Sequence, residues 1–599
     1  MRTLYFLGWL LGVSIGSVTL LGVSLSLSKV QPPEPEFMVW VENPMIRVKP
    51  ETPPARKNTV EIAAARNETE PFQVIISALA HKLEDITATV SDLEDEQGNE
   101  IDHSQMTLYR QQYIYVRDPS PYSTEPPGWW PDALIPFLNP ADGRPVRPMQ
   151  VTREDLGGKI THKLSGARFT ASPFDVWPGK NQPLWIDVSI PKDAVPGYYT
   201  GKFTVKISNH EDVHLPVKVT VWNFTLPDGP PLATHFGSLD QIAAKHGVAP
   251  GSPDFTVIHE RYAKAMAAHR LSPPIPDSLR PPLKPDGSID WKKTHEGLRH
   301  YMVTYNVRSF QIPTYPFADP LKSNRKYVIR YLQSYYEYLK AQGWEKGAYY
   351  YPVEEPNSRE AYDQVRAYAQ LVHEANPQLK LLCTEQPYTQ DPAWGDLRDS
   401  VDIWCPLFAF FEEESAKAAQ QRGNEIWAYT ALCQKSPLYH PQFAKVSGLP
   451  TFFWQIDFPL LNYRLPLWTM RRYDIVGLLY WSTVYWSSPE RDVWTDPAFR
   501  NRYNGDGLLF YPGTEAGIQG PVTSIRLKAL REGLEDYAYF ALLEKLGDQT
   551  YLNQEVSKMA ASWWKWDDNP EHLYQVRAAL AKRIMEKQGS NRGEMRITR

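Results

Sequence analysis

Two adjacent glutamates, Glu354 and Glu355, end a short aromatic run, Tyr349-Tyr-Tyr-Pro-Val353, and are followed at once by Pro356. Paired carboxyls suit cleavage of a glycosidic bond, in which one group protonates the departing oxygen while a second steadies or attacks the sugar carbon. On a regular strand consecutive side chains point to opposite faces, so these two share a cleft only where the backbone turns. Pro356 favours such a turn, because it keeps Glu355 out of helical geometry and ends regular pairing. Adjacent glutamates also occur as solvated loop charges, so their position in the fold decides between the two readings.

Other side chains of the right type cluster at the ends of apolar runs. Tyr351 and Trp404 could wall the carboxyls with apolar surface and so raise the proton affinity of an acid. Glu385 and Gln386 follow the run Leu379–Thr384, Tyr429 lies near the end of Glu425–Thr430, and Asp457 closes Phe453–Ile456. As a late carboxylate, Asp457 could act as nucleophile or base; it could equally cap a helix or pair with Arg464. Trp481, Tyr485 and Trp486 suit either a stacking platform for a sugar ring or ordinary packing. The three cysteines, Cys383, Cys405 and Cys433, sit in apolar runs, which predicts buried thiols and no disulfide framework. The 14 histidines are scattered, and no metal-ligand spacing occurs. Neither a metal nor another cofactor is expected.

The elements that must position these groups change character along the chain. From Phe37 to Leu226 short alternating segments such as Phe72–Ile76, Leu184–Ile190, Tyr199–Ile207 and Val213–Val221 predict an antiparallel β-sandwich. Asp118–Arg153 reads as a long loop able to reach over a neighbouring part. After Leu226-Pro-Asp-Gly-Pro-Pro231, strands alternate with helices. Strands are expected at Thr234–Gly237, weakly at Pro274–Pro276, then at Arg308–Ile312, Ala348–Val353, Leu379–Thr384, Val401–Pro406, Glu425–Thr430, Phe452–Ile456 and Val476–Trp481. With one of the late strands counted as an insertion, these nine give the pattern of a (β/α)8 barrel with the glutamates at the tip of its fourth strand, where such barrels carry their chemistry. Amphipathic helices follow, with Leu530, Leu534, Tyr537 and Ala541 at helical spacing.

The chain therefore divides into 1–29 (signal peptide or membrane anchor), 30–36 (linker), 37–226 (sandwich), 232–487 (catalytic barrel), 488–588 (helical extension) and 589–599 (disordered tail). Leu4 to Leu27 carries no charge, which predicts an exported protein, secreted or held at the membrane. With 64 basic and 69 acidic residues and no long run of either sign, no surface for nucleic acid is expected. The aromatic share of 13% suits a carbohydrate partner. Oligomeric state is not legible.

Several of these stretches resemble glycoside hydrolase family 123 and the related domain of unknown function 4091. They are Val353-Glu-Glu-Pro356, Phe453-Trp-Gln-Ile-Asp-Phe-Pro459 with Tyr463-Arg-Leu-Pro-Leu-Trp468, and Gly477-Leu-Leu-Tyr-Trp-Ser-Thr-Val-Tyr-Trp486. Asn504–Gly513 and Ser524–Tyr537 are similar to the group's C-terminal signature; Ala65–Glu68 and Pro196–Gly201 resemble its N-terminal sandwich. The resemblance implies a sandwich, a catalytic barrel and a helical extension acting on glycosides of N-acetylated amino sugars, typically β-linked N-acetylgalactosamine. It implies retention of configuration through attack by the substrate's own acetamido oxygen. An Asp-Glu pair serves this mechanism in the family, so Glu355 takes the acid/base role and Glu354 the orienting one.

Here the first member is Glu354, and the extra methylene displaces its carboxyl by about 1.5 Å. Three consequences stand open: a backbone shift that compensates, a sugar without the acetamido group served by Glu355 with Asp457 or Glu354, or a site that binds carbohydrate without cleaving it.

Overall fold

The computed structural model describes residues 35–597 except 147–149, 157–158, 166, 317, 439 and 487–490. The expected signal or anchor at 1–29, and most of the linker, lie outside these residues. Among the described residues no helix is long and apolar enough to cross a membrane.

Alternation in the N-terminal half produces two packed sheets. Val213–Thr225 shows the period clearly, with Leu215, Val217, Val219 and Val221 buried and their neighbours turned outward. They meet Val74, Ile76, Leu184, Ile186, Phe203 and Val205 in one core. The first sheet runs in the order Phe37–Glu42, Thr69–Ala78, Lys180–Ser189, Met106–Val116, Gly128–Pro136, Pro521–Ser524, Phe510–Pro512.

Three expectations are corrected here. Gly128–Pro136, inside the supposed long loop, is a strand paired with Met106–Val116, and two strands from the supposed helical extension complete the sheet. In the second sheet Val213–Thr225 pairs in parallel with Val60–Arg66, so the sandwich is not wholly antiparallel.

The middle of the chain builds a parallel sheet in the order Ala233–His235, Gly477–Tyr480, Glu425–Thr430, Ile403–Trp404, Lys380–Cys383, Ala348–Tyr350, Phe310–Ile312. The sheet curls until its two edges meet through side chains. Ser309 Oγ donates to Thr234 O at 2.5 Å and accepts from Thr234 N at 3.1 Å. Ser272 N donates to Thr234 Oγ1 at 2.8 Å, and Arg308 N donates to Ser272 Oγ at 3.1 Å.

The segment Ser272-Pro-Pro-Ile-Pro276 thus occupies the place of the weak second strand, but proline has no N–H to give a ladder. Phe452–Ile456 also forms no ladder; Ile456 N donates to Asn504 O at 2.8 Å. Seven parallel strands, and not a ladder of eight, are formed among the described residues.

Helices cover the outer face. Arg359–Ala375 begins where Ser358 caps it, its Oγ accepting from Ala361 N at 3.2 Å. The C-terminal region contributes Ile525–Lys545, Gln549–Met559 and Pro570–Ile597. The last of these continues through the stretch beyond Gln588 that was expected to be disordered. Ile525–Lys545 is buried almost all round and ties the parts together through ion pairs: Arg531 with Asp187, Asp536 with Arg464, and Arg526 with Asp132.

Candidate active site

The aromatic run alternates across the parallel sheet. Tyr349 and Tyr351 turn to the inside of the curl with Trp427, Tyr429 and Leu479, whereas Tyr350 joins the outer core. The strand stops at Tyr350 because Pro352 cannot donate. Beyond it Glu355 adopts a φ of +41°, the left-handed region that costs a residue with a side chain about 1–2 kcal/mol.

This turn brings both glutamates to the solvent-exposed mouth of the curl. Two hydrogen bonds hold it. Glu355 N donates to Thr384 Oγ1 at 2.8 Å, and Tyr429 Oη donates to Glu355 Oε1 at 2.5 Å. Tyr351 Oη lies 2.9 Å from the same Thr384 hydroxyl. Partial burial, and then the charge of Glu355, hold the Glu354 carboxyl above the ordinary carboxylate range.

His235, at the tip of the edge strand Ala233–His235 across the seam, places Nδ1 2.8 Å from Tyr349 Oη. Burial pushes its pKa down to about 4, so the imidazole is neutral near pH 7. A cleft of about 490 Å³ opens along the seam of the sheet, lined by His235, Tyr349, Gln311, Asp240 and the Pro273–Pro276 wall. That volume is within the range of small-ligand sites.

The expected site residues separate into those that join this cluster and those that do not. Tyr351 and Tyr429 join it. Trp404 does not: Ile403 and Cys405 face inward, so Trp404 packs into the outer core. Gln386 also turns away, donating to Glu385 and lining with Trp404 a separate cavity of about 280 Å³. Glu385 itself is buried, accepts from Tyr362 Oη at 3.2 Å, and is pushed up to about 8 by that burial.

Asp457 is buried with both oxygens engaged, Oδ2 by Ser120 N and Oδ1 by Ser120 Oγ, each at 2.6 Å. It anchors a loop of the N-terminal half and neither caps a helix nor pairs with Arg464, which binds Asp536. Trp481, Tyr485 and Phe499 pack on one another in tilted and edge-on pairs, ring centroids 4.8–5.1 Å apart, at the end of the Gly477–Tyr480 strand.

Three positions that hold this cluster or its loops escape sequence reading. His235 and Thr384 carry no motif of their own, since their partners come from other strands. Asp506 had a local signal in its flanking glycines, Gly505 and Gly507, whose φ values are +77° and +71°. Its carboxyl accepts from Tyr480 Oη at 3.1 Å and Leu432 N at 3.0 Å, and burial raises its pKa to about 6. Asp506 thereby fixes the loop that follows the strand bearing Tyr429.

Residues 287–543 match the model of the glycoside hydrolase 123 catalytic domain. The chain carries a family 123 glycoside hydrolase catalytic domain. The match includes both glutamates, Tyr429 and the C-terminal signature. A solved family 123 glycoside hydrolase from Clostridium perfringens, described for its hydrolysis of glycolipid glycans, shares the fold at a TM-score of 0.63 and 13% identity, covering 94% of this chain and all of that one. A Bacteroides ovatus GH5 xyloglucanase aligns over 83% of this chain and all of its own at 9% identity, but a TM-score of 0.25 makes that likeness too slight to build on. Among curated proteins none matches the sequence.

In the family 123 domain Tyr429→Phe removes the hydroxyl that fixes the Glu355 carboxyl while preserving the ring's packing. We expect kcat on an aryl glycoside to fall about 10- to 100-fold with little change in KM, read by steady-state kinetics.

Proposed function

We propose that the protein is a retaining β-N-acetylhexosaminidase that uses substrate assistance, with Glu355 as acid and then base and Glu354 as the orienting carboxylate. The observation that carries this reading is the left-handed turn at Glu355, which puts two adjacent carboxyls at one mouth and leaves one of them tied to Tyr429.

In the first step the acetamido carbonyl oxygen attacks C1 and the C1–O glycosidic bond breaks. Glu355 passes its proton to the departing oxygen, and the resulting oxazolinium lies against ionised Glu354. In the second step Glu355 takes a proton from water as the water attacks C1, regenerating the acetamido group with the original configuration.

The longer arm of Glu354 is accommodated in this reading by the turn that follows it. Asp457 supports a two-carboxylate alternative poorly, because Ser120 occupies both of its oxygens. The curled sheet acts as a barrel whose second place is taken by Ser272–Pro276. Export, by a segment at 1–29 that is cleaved or retained, suits an enzyme of extracellular glycans.

The test is inhibition by a thiazoline mimic of the cyclised intermediate during hydrolysis of an aryl N-acetyl-β-galactosaminide. Competitive inhibition at concentrations far below KM is expected; indifference to the mimic would remove the acetamido group from the mechanism.

A further inference from the structure

A second groove of about 490 Å³ shares no lining residue with the cleft along the seam of the parallel sheet. It lies where Phe37–Glu42, the edge strand of the first sheet, and Val60–Arg66, the edge strand of the second, part beside the helix Pro570–Ile597. Its lining includes Glu70 and Arg577, each 2% exposed. Glu70 Oε2 is 3.0 Å from Arg577 Nη2, yet accepts no hydrogen bond among the described residues. A buried carboxylate oxygen left in this state is costly, and a donor delivered by a ligand would relieve it.

The remaining lining narrows the ligand's chemistry. Tyr198 stands in the wall at 78% exposure, far more than a packing residue of this sandwich shows, and Trp222 and Tyr574 add aromatic surface. Such rings suit the apolar face of a sugar. Four glutamates and three cations line the groove, so their charges nearly cancel. Moreover, Glu61 is held by Lys218 at 2.9 Å, and Glu571 accepts from Asn43 Nδ2 at 2.9 Å. Glutamates outnumber cations in the lining, and Arg577 is already spent on Ala63 O, Glu68 and Tyr539, so an anion gains no strong partner, whereas a neutral polyhydroxy compound finds an acceptor and a stacking face.

We propose that this groove is a second carbohydrate-binding site, built for a neutral sugar and separate from the catalytic cleft. The choice of sugar rests on the glycosidase reading above, but the site's existence does not. It would hold a glycan-bearing surface close while the cleft works on chain ends.

Hydrogen exchange of the full chain, with galactose, N-acetylgalactosamine or galacturonate added over the millimolar range, tests it. A neutral sugar is expected to slow exchange saturably at 60–63, 198–200 and 571–578, and galacturonate is not. Tyr198→Ala, a change at an exposed position, is expected to raise the half-saturating concentration about tenfold. Turnover of an aryl glycoside is followed in the same samples, so failure of the catalytic reading and failure of this one are told apart. Absence of protection in these segments, equal protection by galacturonate, or protection unaltered in Tyr198→Ala would each overturn the proposal.

Discussion

Replacing Glu355 with glutamine is expected to lower kcat/KM for an N-acetylated aryl glycoside by about 10²–10⁴-fold, the usual contribution of a positioned general acid and base. The amide keeps the shape and can still meet Tyr429 Oη, which donates to Oε1 at 2.5 Å in the parent, so circular dichroism and melting should change little. Glu354→Gln should also depress the rate by orders of magnitude, for a different reason: the amide cannot neutralise the oxazolinium.

The two variants separate in their pH dependence. Glu354 is held above the ordinary carboxylate range by partial burial and by the charge of Glu355, and it must be ionised to work. Activity of the parent therefore rises with pH through that elevated value and is lost below it. Residual activity of Glu354→Gln should lack this acid limb. A parent profile already flat across the acid range, or unchanged turnover in either variant, would reject these roles.

The largest expected loss of stability lies away from the carboxylates. Arg526 and Asp132 are both fully buried, with Nε to Oδ1 at 2.8 Å and Nη2 to Oδ2 at 2.9 Å. Asp132 also accepts from Tyr511 Oη at 2.6 Å, and Arg526 donates to the carbonyl oxygens of Gly505 and Leu508. The pair joins the Gly128–Pro136 strand to the Ile525–Lys545 helix and holds the loop that carries Asp506.

Arg526→Met takes the bidentate partner from buried Asp132 and leaves it only Arg47, 3.6 Å from Oδ1, and breaking a buried pair in this way costs up to about 3–5 kcal/mol. Urea denaturation should show a clearly lower midpoint. Adding Asp132→Leu should not recover the loss, because it strips buried Arg47 of the carboxylate 3.6 Å from its Nη1. A single variant as stable as the parent would contradict this account of how the two halves are joined.

How much of this was legible beforehand varied with the range of the interaction. Local signals served well: the helix Arg359–Ala375 follows from Ser358 as its cap and from apolar spacing, and Pro356 pointed to the turn at Glu355. The strand bearing the glutamates ended earlier than its apolar run, at Tyr350, because Pro352 interrupts the ladder. Pro274–Pro276 matched a strand in position only, and hydroxyl side chains of Ser272 and Ser309 took over where backbone donors were missing.

Faces were harder to assign. In a parallel sheet covered on both sides the strands are apolar throughout, so nothing in Ile403-Trp-Cys405 told which neighbour faced inward, and Trp404 was placed on the wrong side. Long-range partners were invisible: Ser120 reaches Asp457 across 337 positions, and His235 finds Tyr349 across 114. The strands Phe510–Pro512 and Pro521–Ser524 joined a sheet begun by residues far earlier in the chain, which no local pattern could announce.

The central claim is that the substrate's acetamido oxygen is the nucleophile and that Glu354 and Glu355 serve it. Its most direct measurement is kcat/KM for a series of aryl β-galactosaminides carrying N-acetyl, N-difluoroacetyl and N-trifluoroacetyl groups. Each fluorine withdraws electrons from the carbonyl oxygen without much change in size, so the rates should fall steeply across the series. Rates that stayed level would show that the acetamido group does not attack the sugar carbon, and would contradict the account.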